Sequence, residues 1–84
     1  MRIVFSEIAE KHFKKLDGAV RKRIQKYLRE VGELEDPRTR GELLTENWTG
    51  YWRYRIGDYR AICDIVDNEL IIYVIEVGHR RNVY

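Results

Sequence analysis

The stretch Trp52-Arg53-Tyr54-Arg55-Ile56-Gly57-Asp58-Tyr59-Arg60 leaves the middle of this chain little conformational freedom. Gly57-Asp58 separates two runs rich in aromatic residues. A Gly-X pair suits the two-residue type II′ turn that closes a β-hairpin. That turn predicts that residue 56 pairs with 59, and 55 with 60. Side chains alternate faces along a strand. Arg53, Arg55 and Arg60 therefore share one face, while Trp52, Tyr54 and Tyr59 share the other and are expected to meet the core. The basic face puts Arg55 directly opposite Arg60. Like charges in that position destabilise a hairpin, so the pairing points to an anionic ligand. Phosphate is the leading candidate, because guanidinium groups match it in geometry and charge. The plain alternative is a solvated strand face with no ligand.

A hairpin alone is marginal, and the rest of the chain supplies its cover. Arg2 to Phe5 reads as a short strand. Ser6 is a plausible N-cap with Glu7 in the first turn. Ala9, Phe13 and Leu16 follow helical spacing until Asp17-Gly18 breaks it. A second helix is expected from Ala19 to Gly32, with Val20, Ile24, Leu28 and Val31 on one stripe. Its other face carries Arg21, Lys22, Arg23, Lys26 and Arg29, which reads as a solvated face or as a surface for RNA. So short a break predicts an antiparallel helical hairpin. Pro37 and Gly41 mark a polar connection from Glu33 to Asn47.

Three strands are expected after it: Tyr51–Ile56, Tyr59–Val66 and Glu69–Val77. Asp67-Asn68 reads as a second tight turn, since both residues tolerate left-handed backbone. Leu70-Ile71-Ile72-Tyr73-Val74-Ile75 is apolar on both faces, so this strand should be central or covered on both sides. The sum is an α+β fold of order β-α-α-β-β-β. An N-terminal helical hairpin packs on a small, mostly antiparallel twisted sheet.

Composition narrows the function classes. The 84 residues make a single domain, 1–84, with a modest core. Lys+Arg 16 against Asp+Glu 14 gives a net charge of +2, too small to mark a nucleic-acid binder by charge alone. The one cysteine, Cys63, cannot form an internal disulfide and sits in an apolar strand pattern. It reads as a small core hydrophobe in a reducing cytosol. No signal peptide and no apolar run of about 18 residues appears, so no membrane segment is expected. Asp64 and Glu76 do not make a metal site and there is no His/Cys cluster. Neither a metal nor a small-molecule cofactor is expected. His12 lies among lysines and reads as a surface residue. Trp48 and Tyr51 are open between core and surface.

The Trp52–Arg60 stretch, and the ending Val77-Gly78-His79-Arg80-Arg81-Asn82-Val83-Tyr84, resemble the RelE toxins of the RelE/ParE superfamily. The Phe5-Ser6 start and Asp36-Pro37-Arg38 ahead of Gly41 match as well, so the resemblance covers nearly the whole chain. It implies a prokaryotic, cytoplasmic toxin of a type II toxin–antitoxin system, silenced by a cognate antitoxin. It also implies a metal-independent endoribonuclease that cuts messenger RNA in the ribosomal decoding site. There the 2′-hydroxyl attacks the adjacent phosphate, leaving a 2′,3′-cyclic phosphate and a free 5′-hydroxyl.

By the same resemblance, Arg60 and Arg80 contact the scissile phosphate, with Arg81 beside them. Tyr84 stacks on a base or assists proton transfer. Arg53 and Arg55 fall where the best-known members carry lysines, one of them the proposed general base. Arginine, with a pKa above about 12, is a poor base near neutrality. Glu42 falls near a catalytic glutamate of the YoeB-like branch, which the Gly50-Tyr51-Trp52 region also resembles. His79 is the other candidate base, by its ordinary pKa near 6.5. Two further functions fit the same fold: a ParE-like poison of DNA gyrase, and a non-catalytic RNA-binding member.

Overall fold

The computed structural model describes residues 1–83. The chain opens with β1 (Arg2–Phe5) and turns into α1 (Glu7–Lys14) at Ser6. The Ser6 hydroxyl accepts the Ala9 N–H at 3.0 Å and donates to the Ile75 carbonyl at 2.9 Å. One residue thus caps the helix and ties its start to the sheet. Helix α2 (Gly18–Glu33) follows after a short break. Its apolar stripe buries Ile24, Leu28 and Val31, while its basic residues face outward.

The strands β2 (Glu42–Leu43), β3 (Trp52–Ile56), β4 (Tyr59–Val66) and β5 (Ile71–His79) complete one sheet of order β1-β5-β4-β3-β2. Only the β1–β5 pair is parallel. The β3–β4 register is the one the turn demands: Ile56 lies opposite Tyr59 and Arg55 opposite Arg60. Gly57 sits at φ +59, while Asp58 is not at positive φ, the pattern of a type II′ turn. The guanidinium of Arg23 reaches over Gly57, and a Cβ there would require that flexible end to move.

Both helices pack on one face of the sheet. There Tyr54, Ala61, Cys63, Ile72, Val74 and Val77 join Ile24, Leu28 and Val31 in the main core. Burial pushes the Cys63 thiol well above its ordinary range, so it stays neutral as a small apolar side chain. Tyr54 is fully buried, and its hydroxyl donates to the Pro37 carbonyl at 2.7 Å. That bond pins the polar connection to the core. Arg38 fastens the same connection to the β4–β5 turn through a two-pronged contact with Asp67. The opposite face carries a much smaller cluster: Leu44, Ile62 and Val83, with Tyr51 against it.

Three expectations need correction. The connection from Glu33 to Asn47 is not strandless, because it holds a 3-10 turn at Pro37–Arg40 and the two-residue β2. Two residues are too few to show alternation, and the pairing of Glu42 with Arg53 and of Leu43 with Trp52 comes from β3. The second turn is not a tight Asp67-Asn68 pair. It is a 3-10 turn, Asp67–Glu69, and the left-handed residue is Leu70, at φ 56 and ψ 42. The last strand therefore starts at Ile71 instead of Glu69. It runs on to His79, because β4 offers partners as far as Tyr59. As its two-sided apolar pattern implied, β5 lies inside the sheet. Ile75 is an extra residue there, since Ile62 pairs with Glu76 while Cys63 pairs with Val74. Such a bulge sharpens the local twist. Among the described residues, no helix is long and apolar enough to cross a membrane.

Candidate functional site

The face away from the helices gathers the arginines. Alternation from the buried Tyr54 and Ile56 puts Arg53 and Arg55 on this face of β3, and Tyr51, just ahead of the strand, packs on the same side. Arg60 and Ile62 follow on β4, opposite Gly78 and Glu76 of β5. Glu42, the partner of Arg53 across β2–β3, stands at the edge of the row.

Each arginine rests differently. Arg55 donates from Nε to Glu42 Oε1 at 2.6 Å and from Nη2 to Oε2 at 3.3 Å. Arg60 folds onto the turn, donating from Nη1 to the Gly57 carbonyl at 2.9 Å and the Tyr59 carbonyl at 2.8 Å. Separate acceptors thus relieve the repulsion between these two cross-strand neighbours. Arg53 is the exception. Its Nε lies 3.4 Å from Glu42 Oε1, close enough for Coulomb attraction but out of line for a hydrogen bond. That buried N–H has no hydrogen-bond partner among the described residues. The nearest acceptor to that N–H is the Glu42 carboxylate, so Arg53 and Arg55 share one anionic partner.

Hydrogen bonds from Arg55, opposed by partial burial and helped by Arg53, hold the Glu42 carboxyl below its ordinary range. Glu42 is therefore a carboxylate at neutral pH, poised between two guanidiniums.

The turn after β5 brings Arg80 to the hairpin tip. Its backbone N–H donates to the Asp58 carbonyl at 2.8 Å, and its Nε lies 3.9 Å from the Asp58 carboxylate. Arg81 is exposed beside it. The tail then returns to the arginine face, where buried Val83 packs with Leu44 and Ile62. Gly78 makes that seat possible: a Cβ there would lie 3.0 Å from Val83 Cγ2. Tyr84 lies outside the described residues.

His79 goes elsewhere. It pairs with Tyr59 on the helix-facing side of the sheet, with the two rings edge to face at 5.4 Å. Its Nδ1 accepts the Arg81 N–H at 3.2 Å, which braces the arginine-bearing turn. His12 and Glu76 meet nearby at 2.6 Å. No group of three or more His, Cys, Asp or Glu among the described residues could hold a metal ion.

The structure thus brings Arg53, Arg55, Arg60 and Glu42 onto one face, with the Arg80-Arg81 turn at its end, and puts His79 on the other. Sequence reasoning missed two residues. Asp58 holds Arg80, and the only hint was an acid at a turn tip. Trp48 lies outside the core: it stands 39% exposed on the β2–β3 loop at φ +64. Its place in the polar stretch 45–50 was the available signal. The arrangement offers phosphate-binding guanidiniums, an ionised carboxylate among them, and a tail seated alongside.

Comparison with known proteins agrees with this picture. Residues 3–84 match the family model described as "ParE toxin of type II toxin-antitoxin system, parDE". The chain is 35% identical over 78 residues to the mRNA interferase toxin RelE of Escherichia coli strain K12, covering 92% of this chain and 80% of that protein. The mRNA interferase RelE of Shigella flexneri matches equally well. Among solved structures, the isolated E. coli RelE toxin superposes with a TM-score of 0.76 at 26% identity, covering 93% of this chain and 82% of that one. The Mycobacterium tuberculosis RelBE2 toxin–antitoxin complex gives a TM-score of 0.84 at 21% identity, over 96% and 92% of the two chains; this second likeness speaks for the fold alone.

Proposed function

The chain belongs to the ParE toxin family of type II toxin–antitoxin systems, and from that premise we infer that it is an endoribonuclease of the RelE kind. Its proposed substrate is messenger RNA in the ribosomal decoding site. The observation that carries this reading is the arginine face itself, with Arg55 opposite Arg60 across the hairpin and Arg53 opposite Glu42 at its edge. Such a face suits a dianionic phosphorane, the transition state of attack by a 2′-hydroxyl on the adjacent phosphate. Arg53, Arg55, Arg60 and Arg80 stabilise the charge that develops on the phosphoryl oxygens. Glu42 takes the 2′ proton, since arginine cannot act as a base near neutrality. Tyr84, next in sequence to the seated Val83, is assigned the proton transfer to the leaving 5′-oxygen. His79 acts at one remove, bracing the Arg80-Arg81 turn through the Arg81 N–H.

The partners follow from the same premise. A cognate antitoxin covers the toxin, as in the intact E. coli RelBE toxin–antitoxin complex. The face that the helices leave open, with half-buried Val4 and Tyr73 and nearly buried Ile71, is the surface that gains most from cover.

The test uses ribosomes programmed with a defined messenger and an empty decoding site. Primer extension maps new 5′ ends. The expected result is a cut within the decoding-site codon, slowed at least about a hundredfold by Arg60→Ala, the scale of losing one preorganised donor to the transition state. A near-normal rate for that variant would refute the arginine face as the site. No cut by the wild type would turn the assignment toward gyrase poisoning, read directly in a supercoiling assay.

A further inference from the structure

Trp48 is a large apolar residue held in the one backbone region where such residues rarely stand. Its φ of +64 suits glycine or asparagine. Gly50 takes one positive-φ position of this loop, at φ +89, and Trp48, instead of the neighbouring Asn47, takes the other. The loop is closed around it by hydrogen bonds. Tyr51 N–H donates to the Trp48 carbonyl at 2.9 Å, Gly50 N–H to the Leu44 carbonyl at 3.1 Å, and Leu44 N–H to the Tyr51 carbonyl at 2.9 Å. This backbone outlier is thus fixed by its surroundings, and such strain collects at functional positions.

The side chain contributes little to the core. It is 39% exposed, and its indole leans on Tyr51, with ring centroids 5.8 Å apart and planes inclined at 38°. Tyr51 in turn rests on the Leu44, Ile62 and Val83 cluster. Tyr51, Arg53 and Arg55 are alternate residues on one face. They form a row with steps of roughly 7 Å, two residues of extended strand. An aromatic pair thus continues the line of phosphate-binding arginines. Basic grooves lined by exposed aromatics are how proteins hold single-stranded nucleic acid, with the bases stacked on the rings.

We propose that Trp48, backed by Tyr51, is a stacking platform for an unpaired nucleobase next to the phosphate held by the arginine face. The ligand is single-stranded RNA, and that identification rests on the nuclease reading above. Stacking is tolerant of base identity, because every base has a π-face. The platform therefore positions the strand and sets little sequence preference by itself.

The test is the binding of a short, end-labelled 2′-O-methyl RNA oligonucleotide to the isolated protein at low salt. The readout is fluorescence polarisation, and an abasic strand of equal length and charge is the control. Trp48→Ala should weaken binding of the base-bearing strand about tenfold and leave the abasic strand unchanged. Trp48→Phe, which keeps a ring, should retain most of the affinity. Trp48→Leu, which keeps only apolar bulk, should bind as weakly as the alanine variant. Equal losses on both strands would overturn the proposal, as would wild-type affinity in Trp48→Leu or no binding by the wild type. The Phe and Leu pair keeps the test decisive even if the alanine variant folds poorly. The oligonucleotide assay needs no ribosome, so stacking and ribosomal cleavage can each fail alone.

Discussion

Arginine at positions 53 and 55 moves the burden of proton abstraction to another residue. Glu42 is already in contact with both, and its resting state is informative. Arg55 holds the carboxyl below its ordinary range, so it is ionised at neutral pH but weakly basic. An RNA phosphate that engages Arg55 removes that partner and sets a second anion beside the carboxylate. Both changes raise the carboxyl pKa. The base would thus strengthen only when substrate is present. The sign can be read from pH profiles. The acid limb of kcat/KM reports the free enzyme and that of kcat the complex. The limb of kcat should therefore lie at higher pH. Coincident limbs, or the reverse order, would remove Glu42 from the role. Glu42→Gln should also slow cleavage by about 10²–10⁴-fold, the usual range for a positioned base, and abolish the carboxylate limb.

At the scale of elements, the β3–β4 hairpin was legible because its turn chemistry and its alternation agree on one register. The helices were legible because their apolar spacing is regular and Ser6 marks a start. β2 was not legible, being two residues long and held by its neighbour's pairing. The β4–β5 turn misled because Leu70, with no propensity for the left-handed region, takes it up at the mouth of β5. The arginine face was readable from the hairpin alone, whereas the placement of His79 depended on where β5 ends. Gly78 links that strand to the site. Gly78→Ala should gain about 0.5–1 kcal/mol of strand preference and lose about 1–2 kcal/mol as Val83 shifts to relieve the 3.0 Å contact. Thermal stability should therefore change by only a few degrees. Cleavage should fall below wild type, because the tail shifts beside the arginines. A variant with both full stability and full activity would show that the seating of Val83 does not matter to the reaction.

Across the whole molecule the sheet is used unequally on its two sides. The helices cover one face and build the main core. The other face is basic toward β2 and apolar toward β1, where Val4 lies beside Tyr73 and Tyr73 beside Asp64. The two regions lie at opposite ends of the strand order, so one partner can be lost without the other. Tyr73 is the large aromatic of the apolar half, and buried tyrosines at the centre of an interface carry much of its affinity. Tyr73→Asp should weaken the complex with the cognate antitoxin by about thirtyfold, the scale of one such anchor. Ribosomal cleavage by the free toxin should stay near wild type, because no catalytic group touches that half. Isothermal titration of purified antitoxin, paired with the primer-extension assay, measures both quantities on the same preparation. Unchanged antitoxin affinity would mean that the apolar half is not the covered surface. A parallel loss of cleavage would mean that the two halves of the face work as one.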